Sequence, residues 1–289
     1  MTLLIFCVIV NAFIGVVFKY FDQFKVDTFS AIVVNYWVCV LTGSIVLGEF
    51  PVRSSLLSAP WLPYAILLSV AFITTFTLMA LTVQGFGIVV ATIFQKMSLL
   101  APALLGIYLY QESAGGMKLT GIIMAIVSIF VITKSDAEPT TNPQYRKWLY
   151  PILVLLGSCI IDFVLYYVNK HQILDSGDIR FVITLFFCAG VIGTTVLLYR
   201  LAMGHTKMSS KTLIAGVGLG IPNFFSIYLL VQVLSQGLDG SVVFPINNVG
   251  ILAVSAVLGM IFFGEKLGLT KAGGLLMAIA AIVLISYGA

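Results

Sequence analysis

Apolar runs of about 20 residues, the length that crosses a bilayer as a helix, recur along the whole chain, separated by polar breaks. Ten such runs are present: 2–21, 28–48, 61–83, 87–110, 117–133, 149–169, 179–199, 212–234, 240–263 and 270–287. Asp22 to Asp27 separates the first two, and Pro51, Arg53, Ser54 and Ser55 separate the next two. A backbone facing lipid must satisfy its own hydrogen bonds, so each run is predicted to be a helix. One polar stretch is long: Lys134–Trp148, with two prolines and five charges. It is read as a linker, 134–148, between two five-helix halves, 1–133 and 149–289.

The halves resemble one another. Gly87–Thr133 lies on Gly240–Ser286 without a gap, at an offset of 153 residues. The register matches Gly106 with Gly259, Glu112 with Glu265, Lys118 with Lys271, Gly121 with Gly274, and Met124-Ala125-Ile126 with Met277-Ala278-Ile279. Shared apolar composition matches Val, Leu, Ile and Ala by chance, but not a Glu, a Lys and several Gly in one register; the pattern is that of an internal repeat. After five crossings the chain is on the opposite face, so the second half enters the membrane inverted. The predicted fold class is therefore an all-α integral membrane protein with ten transmembrane helices, arranged as two inverted five-helix repeats. Many secondary transporters share this arrangement and place their site near the midplane, between the repeats. A static bundle of duplicated ancestry is the alternative.

Composition agrees with the runs. The chain is 60% hydrophobic and 9% charged, with a mean hydropathy of +1.11, where soluble domains carry roughly 25% charged residues. A formal charge of +4 without a basic cluster gives no nucleic-acid footprint. Cys7, Cys39, Cys159 and Cys188 all fall inside apolar runs without CxxC spacing, and are read as packed thiols. The first run has no basic segment before it and is read as a retained span. No GxxxxGK[ST] or HExxH occurs, and His171 and His205 fall in loops. ATP hydrolysis and membrane-embedded enzyme chemistry are disfavoured, and no cofactor or metal is called for.

Gly264-Glu265-Lys266-Leu267 followed by Gly273-Gly274, and Gln111-Glu112 followed by Gly121, resemble the drug/metabolite transporter (DMT) superfamily, its EamA family in particular. The resemblance covers nearly the whole chain. It implies a gradient-driven exporter or exchanger of amino acids and other small metabolites, with a central cavity walled by both halves. Members often carry a proline some three turns before each Glu. This chain has Leu99 and Leu252 there, with Pro102 and Pro245 elsewhere.

Two charges lie deep in predicted spans: Lys96, nine residues into run 87–110, and Asp162, twelve residues past Tyr150. A mid-membrane charge costs roughly 2.5–3.5 kcal/mol even on a mild scale, so such groups face a cavity or each other. At 1.5 Å per residue the two depths differ by about 4–5 Å. The two residues pair to fix their helices, or together hold a zwitterion; Lys96 snorkelling along its stem is a third reading. Gln95 maps onto Asn248 across the repeat, with Asn247 beside it. Amides donate and accept, which suits a substrate with amino and carboxyl groups; interhelical bonding is the structural alternative. Lys96, Asp162, Gln95, Asn247 and Asn248 are thus the candidate substrate-binding residues. Asn11, Asn35, Tyr36, Trp37, Tyr166, Tyr167 and Asn223 are further polar or aromatic residues within spans.

Glu112 and Glu265 are read as caps of the helices that follow them, with Lys118 and Lys271 in reach for salt bridges; a gating role is the alternative. Trp61, Trp148 and Tyr150 are read as interface anchors. Gly121 and Ala125, repeated as Gly274 and Ala278, form small-residue faces for close packing, with a homodimer as one use. Gly216, Gly218 and Gly220 before Pro222 mark a bend, a site or tight packing. The expected partners are a small-molecule substrate and the lipid bilayer. A flippase of a lipid or lipid-linked amphiphile is the runner-up function, and a non-transporting receptor the third. The expected location is the plasma (inner) membrane. Four Lys and Arg on the face bearing the termini oppose ten on the other, which by the positive-inside rule puts the termini outside. The family resemblance implies cytoplasmic termini, and that arrangement is the expectation.

Overall fold

The computed structural model describes residues 2–50, 59–109, 115–133, 147–171, 173, 178–235 and 240–287. All regular structure among them is helical: α1 Thr2–Gln23, α2 Thr28–Leu47, α3 Leu62–Phe86, α4 Ile88–Lys96, α5 Leu100–Leu109, α6 Gly116–Thr133, α7 Leu149–Lys170, α8 Ile179–Ala202, α9 Ser210–Ser235, α10 Gly240–Phe263 and α11 Leu269–Tyr287. These helices fall on the apolar runs of the sequence, one of which is divided. Seven helical segments among the described residues are long and apolar enough to cross a membrane, which makes this a multi-pass membrane fold. Three shorter apolar stretches accompany them: Ile88–Leu99, Gly116–Val131 and Leu149–Leu165. Large apolar side chains stand outward all around, among them Ile45 at 80%, Ile214 at 73% and Leu269 at 95% exposure, a surface that suits lipid and not water.

The divided run is 87–110. A three-residue 3-10 turn, Met97–Leu99, separates α4 from α5. Pro102 supplies the cause: it has no N–H for the Ser98 carbonyl four residues earlier. The corresponding α10 runs unbroken through Asn247 and Asn248. At the other end of α4 there is no loop. Gly87, at φ 90°, joins α3 directly to α4, a conformation costly for any residue with a side chain.

Helices pack mainly across the halves. α1 lies on α9 and α10, α2 on α8 and α9, α3 on α7 and α8, α4 on α7 and α10, and α6 on α11. One core gathers Phe18, Tyr36, Phe186 and Phe224. A second gathers Phe86 and Phe94 with Leu252, Ala278 and Ile282.

Small residues make these contacts possible. A Cβ on Gly216 would lie 2.5 Å from Val34 Cβ, and one on Gly220 2.6 Å from Val38 Cβ, so this glycine stretch serves tight α9–α2 packing. Gly121 meets Leu284 and Ile285, and Ala125 and Ala278 are fully buried, so the small-residue faces of α6 and α11 are used within the chain, not left for a second copy. Two expected interface anchors are also packed inward: Trp61 is 8% exposed against Phe181, and Trp148 packs at a tilt on Phe86 with ring centroids 4.5 Å apart.

Candidate functional site

Each candidate residue lies where a helix of one half meets the other. Gln95 and Lys96 are the last two residues of α4, and Ser98 follows in the 3-10 turn. Asp162 is on α7, which packs on α4, the turn and α5. Asn247 and Asn248 are on α10, which packs on α4 and α1.

Lys96 and Asp162 form no direct ion pair. Asp162 accepts a hydrogen bond from Ser98 Oγ, which also lies 2.6 Å from the Gln95 carbonyl. Lys96 is close enough to Asp162 and Cys7 for electrostatic interaction, yet among the described residues its amine has no hydrogen-bonding or ion-pair partner within 4.0 Å. The break at 97–99 accounts for this geometry: it turns Ser98 towards α7 in the place the pairing would have needed. The Cys159 thiol lies 4.0 Å from the Ser98 carbonyl on the same side.

Cys7 links the two parts of the cluster. Its thiol lies 3.5 Å from Asn247 Oδ1 and 3.2 Å from the Ser226 carbonyl. Cys7 is fully buried and Asn247 is 3% exposed, so these two are packed inside. Gln95, Lys96 and Asn248 are only partly buried, and among the described residues their side chains make no hydrogen bond. Asn11 on α1 behaves in the same way.

Burial and pairing sort the remaining polar residues. Asn35 and Asn223 are buried and bonded to each other at 3.1 Å, with Cys39 alongside, which is interhelical bonding between α2 and α9. Trp37 donates to Thr194 at 2.8 Å. Tyr36 is fully buried beside Phe76 and Phe186, and Tyr167 makes tilted ring contacts with Tyr64 and His171. The side chain of Tyr166 lies outside the described residues. Sequence reasoning overlooked Ser98 and Cys7. Position 98 follows the only mid-span lysine by two residues, and that proximity was the available signal.

Glu265 reaches a place its sequence position does not announce: its carboxylate caps α4 of the first half. Oε1 and Oε2 accept from Ile88 N at 2.9 and 3.2 Å. Lys19 of α1 approaches Oε1 at 3.9 Å. The reason is tertiary: Gly87 removes the loop before α4, leaving its first N–H groups bare where the α10–α11 turn folds over them. Lys118 and Lys271 are buried, at 2% and 7%, and neither lacks a partner. Glu112 and most of the 134–148 linker lie outside the described residues.

Two cavities lie apart from the five candidates. One, of about 380 Å³, is a wholly apolar groove between α1 and α9 at Phe6, Val10, Phe13, Pro222 and Phe225. The other, of about 290 Å³, is lined by Asp22, Lys25, Asp27, Thr28 and Gln84 at the α1–α2 turn.

No protein-family model matches the chain. An uncharacterized protein of Haemophilus influenzae is 25% identical over 227 residues, which is 78% of this chain and 75% of that one. A protein crystal structure has the same overall fold at a TM-score of 0.58, with 14% identity, covering 99% of this chain and 94% of that one. That likeness establishes a shared fold and nothing about activity.

Proposed function

We propose that this chain is a secondary, gradient-driven transporter, an exporter of a small polar metabolite such as an amino acid, resembling the EamA group of the DMT superfamily. In this reading ten spans form two inverted repeats around a midplane site, and the protein uses no cofactor and performs no covalent chemistry. The observation that carries the reading is the set of mid-span polar groups whose side chains make no hydrogen bond among the described residues: Lys96, Gln95 and Asn248, next to an Asp162 oriented by Ser98. Polar groups kept in a membrane only to join helices are paired, as Asn35 and Asn223 are. Groups left unpaired and partly exposed suit a solute. Lys96 then receives a carboxylate, Asp162 an ammonium, and the amides of Gln95 and Asn248 orient what lies between.

Packing supports the inverted arrangement. Partners are exchanged between the halves: α1 on α10 answers α7 on α4, and α1 on α9 answers α7 on α3. The start of α6, at Gly121, lies against the end of α11, at Leu284 and Ile285, as an antiparallel pair requires. We place the protein in the plasma (inner) membrane with cytoplasmic termini. A homodimer would need a face other than the small-residue stripes.

An untargeted metabolite comparison between cells overexpressing the protein and cells lacking it tests the reading, followed by flux of the leading solute in proteoliposomes. A change confined to small polar solutes is expected. One observation favours a flippase instead: the lipid-facing α1–α9 groove has room for an acyl chain. A change confined to lipid species would give that reading precedence.

A further inference from the structure

We infer that the Glu265 carboxylate is a latch between the halves, holding shut the membrane face where α1 ends and α4 begins, and that its release opens that face during the cycle. The inference rests on the transport reading above.

Four elements converge on this one side chain. Glu265 leaves the turn after α10 and is 7% exposed. It takes the first N–H of α4 with both oxygens, and a helix start carries unsatisfied donors and partial positive charge, so a carboxylate is well held there. Lys19 from α1 lies 3.9 Å from Oε1 and 3.4 Å from the Val83 carbonyl of α3. The carboxylate therefore ties α1, α3 and α4 of the first half to α10 of the second.

The seat is shaped for it by two glycines, one from each half. A Cβ on Gly87 would lie 2.6 Å from Oε1, and one on Gly259 2.8 Å from Oε2. A local cap needs neither. The repeat carries the same three residue types again at Gly240, Gly106 and Glu112. A pair of opposed faces that open in turn calls for one such set each.

Hydrogen exchange of the substrate-free protein in nanodiscs, followed by mass spectrometry, tests this without relying on flux. Glu265→Ala is expected to speed exchange about tenfold or more at residues 84–96 and 256–268, the loss of a charge-assisted bond. The α2 segment 28–47 should be unchanged. Glu265→Gln, which keeps the shape, and Gly259→Ala, which crowds the seat from within a helix, should move the same segments less and decide the matter if Glu265→Ala does not fold. Acceleration confined to the Ile88 amide would make Glu265 a local cap and overturn the inference, and so would acceleration spread evenly through every helix. If the face loosens as expected but the wild-type protein moves no solute, the latch stands and the transport reading fails.

Discussion

Lys96 and Asp162 agree in depth and lie close, yet Ser98 takes the place at the carboxylate that an ion pair would have filled. This changes what removing either charge should do. Breaking a buried pair leaves an uncompensated charge and costs about 3–5 kcal/mol in soluble proteins. An amine that meets the carboxylate only through space, with no hydrogen bond or ion pair among the described residues, loses less than a contacting pair, and its removal relieves the cost of holding a charge in the membrane. Lys96→Met should therefore melt within about 1 kcal/mol of the wild type, the range of substitutions that break no contact, while solute flux falls to background. Thermal unfolding in detergent and flux in proteoliposomes check the two halves of the statement. Strong destabilisation by Lys96→Met, relieved by adding Asp162→Asn, would instead identify a structural pair. Full flux in that double variant would remove both from the site and leave Gln95 and the two asparagines as better candidates.

Among the helices, α9 shows how glycine decides a contact. Gly216 and Gly220 admit Val34 and Val38 of α2 to van der Waals distance, whereas nothing lies within 4 Å of a Cβ at Gly218. Gly220→Leu should cost about 1–3 kcal/mol through overpacking, read as a lowered melting temperature. Gly218→Ala should be neutral or raise stability by up to about 1 kcal/mol, since alanine loses less chain entropy in a helix. Equal effects at the two positions would mean that α9 does not lie on α2 by this face. The spacing of the three glycines was plain in the chain, but which of them met a neighbour was not.

For the molecule as a whole, the decisive question is the axis relating the halves. The gapless repeat of Gly87–Thr133 at Gly240–Ser286, and the reciprocal packing of α1 and α7, lead to one expectation. In an experimental structure in lipid, 1–133 should superpose on 149–289 by rotation about an axis in the membrane plane. An axis along the membrane normal, or none, would remove the inverted repeat and with it the argument for two faces that open alternately.

The chain by itself determined that it is helical and membrane-embedded, because lipid leaves an apolar backbone no other way to satisfy its hydrogen bonds. Polar clusters and prolines also marked most of the breaks between runs, but not the one at 97–99 inside run 87–110. The duplicated segment was legible for the same reason: matched Glu, Lys and Gly survive any shared apolar background. Facing was not legible. Helices that are apolar all round carry little one-sided pattern, so nothing local separates Asn35, buried against Asn223, from Asn248, left partly open. The same holds for Cys7, which reads as one more apolar residue until α1 is laid beside Asn247. Only the tertiary structure decided that Glu265 caps a helix 177 positions away in sequence. That choice depends on where bare N–H groups come to lie once Gly87 has joined α3 to α4 without a loop, and their position is a property of the packed halves.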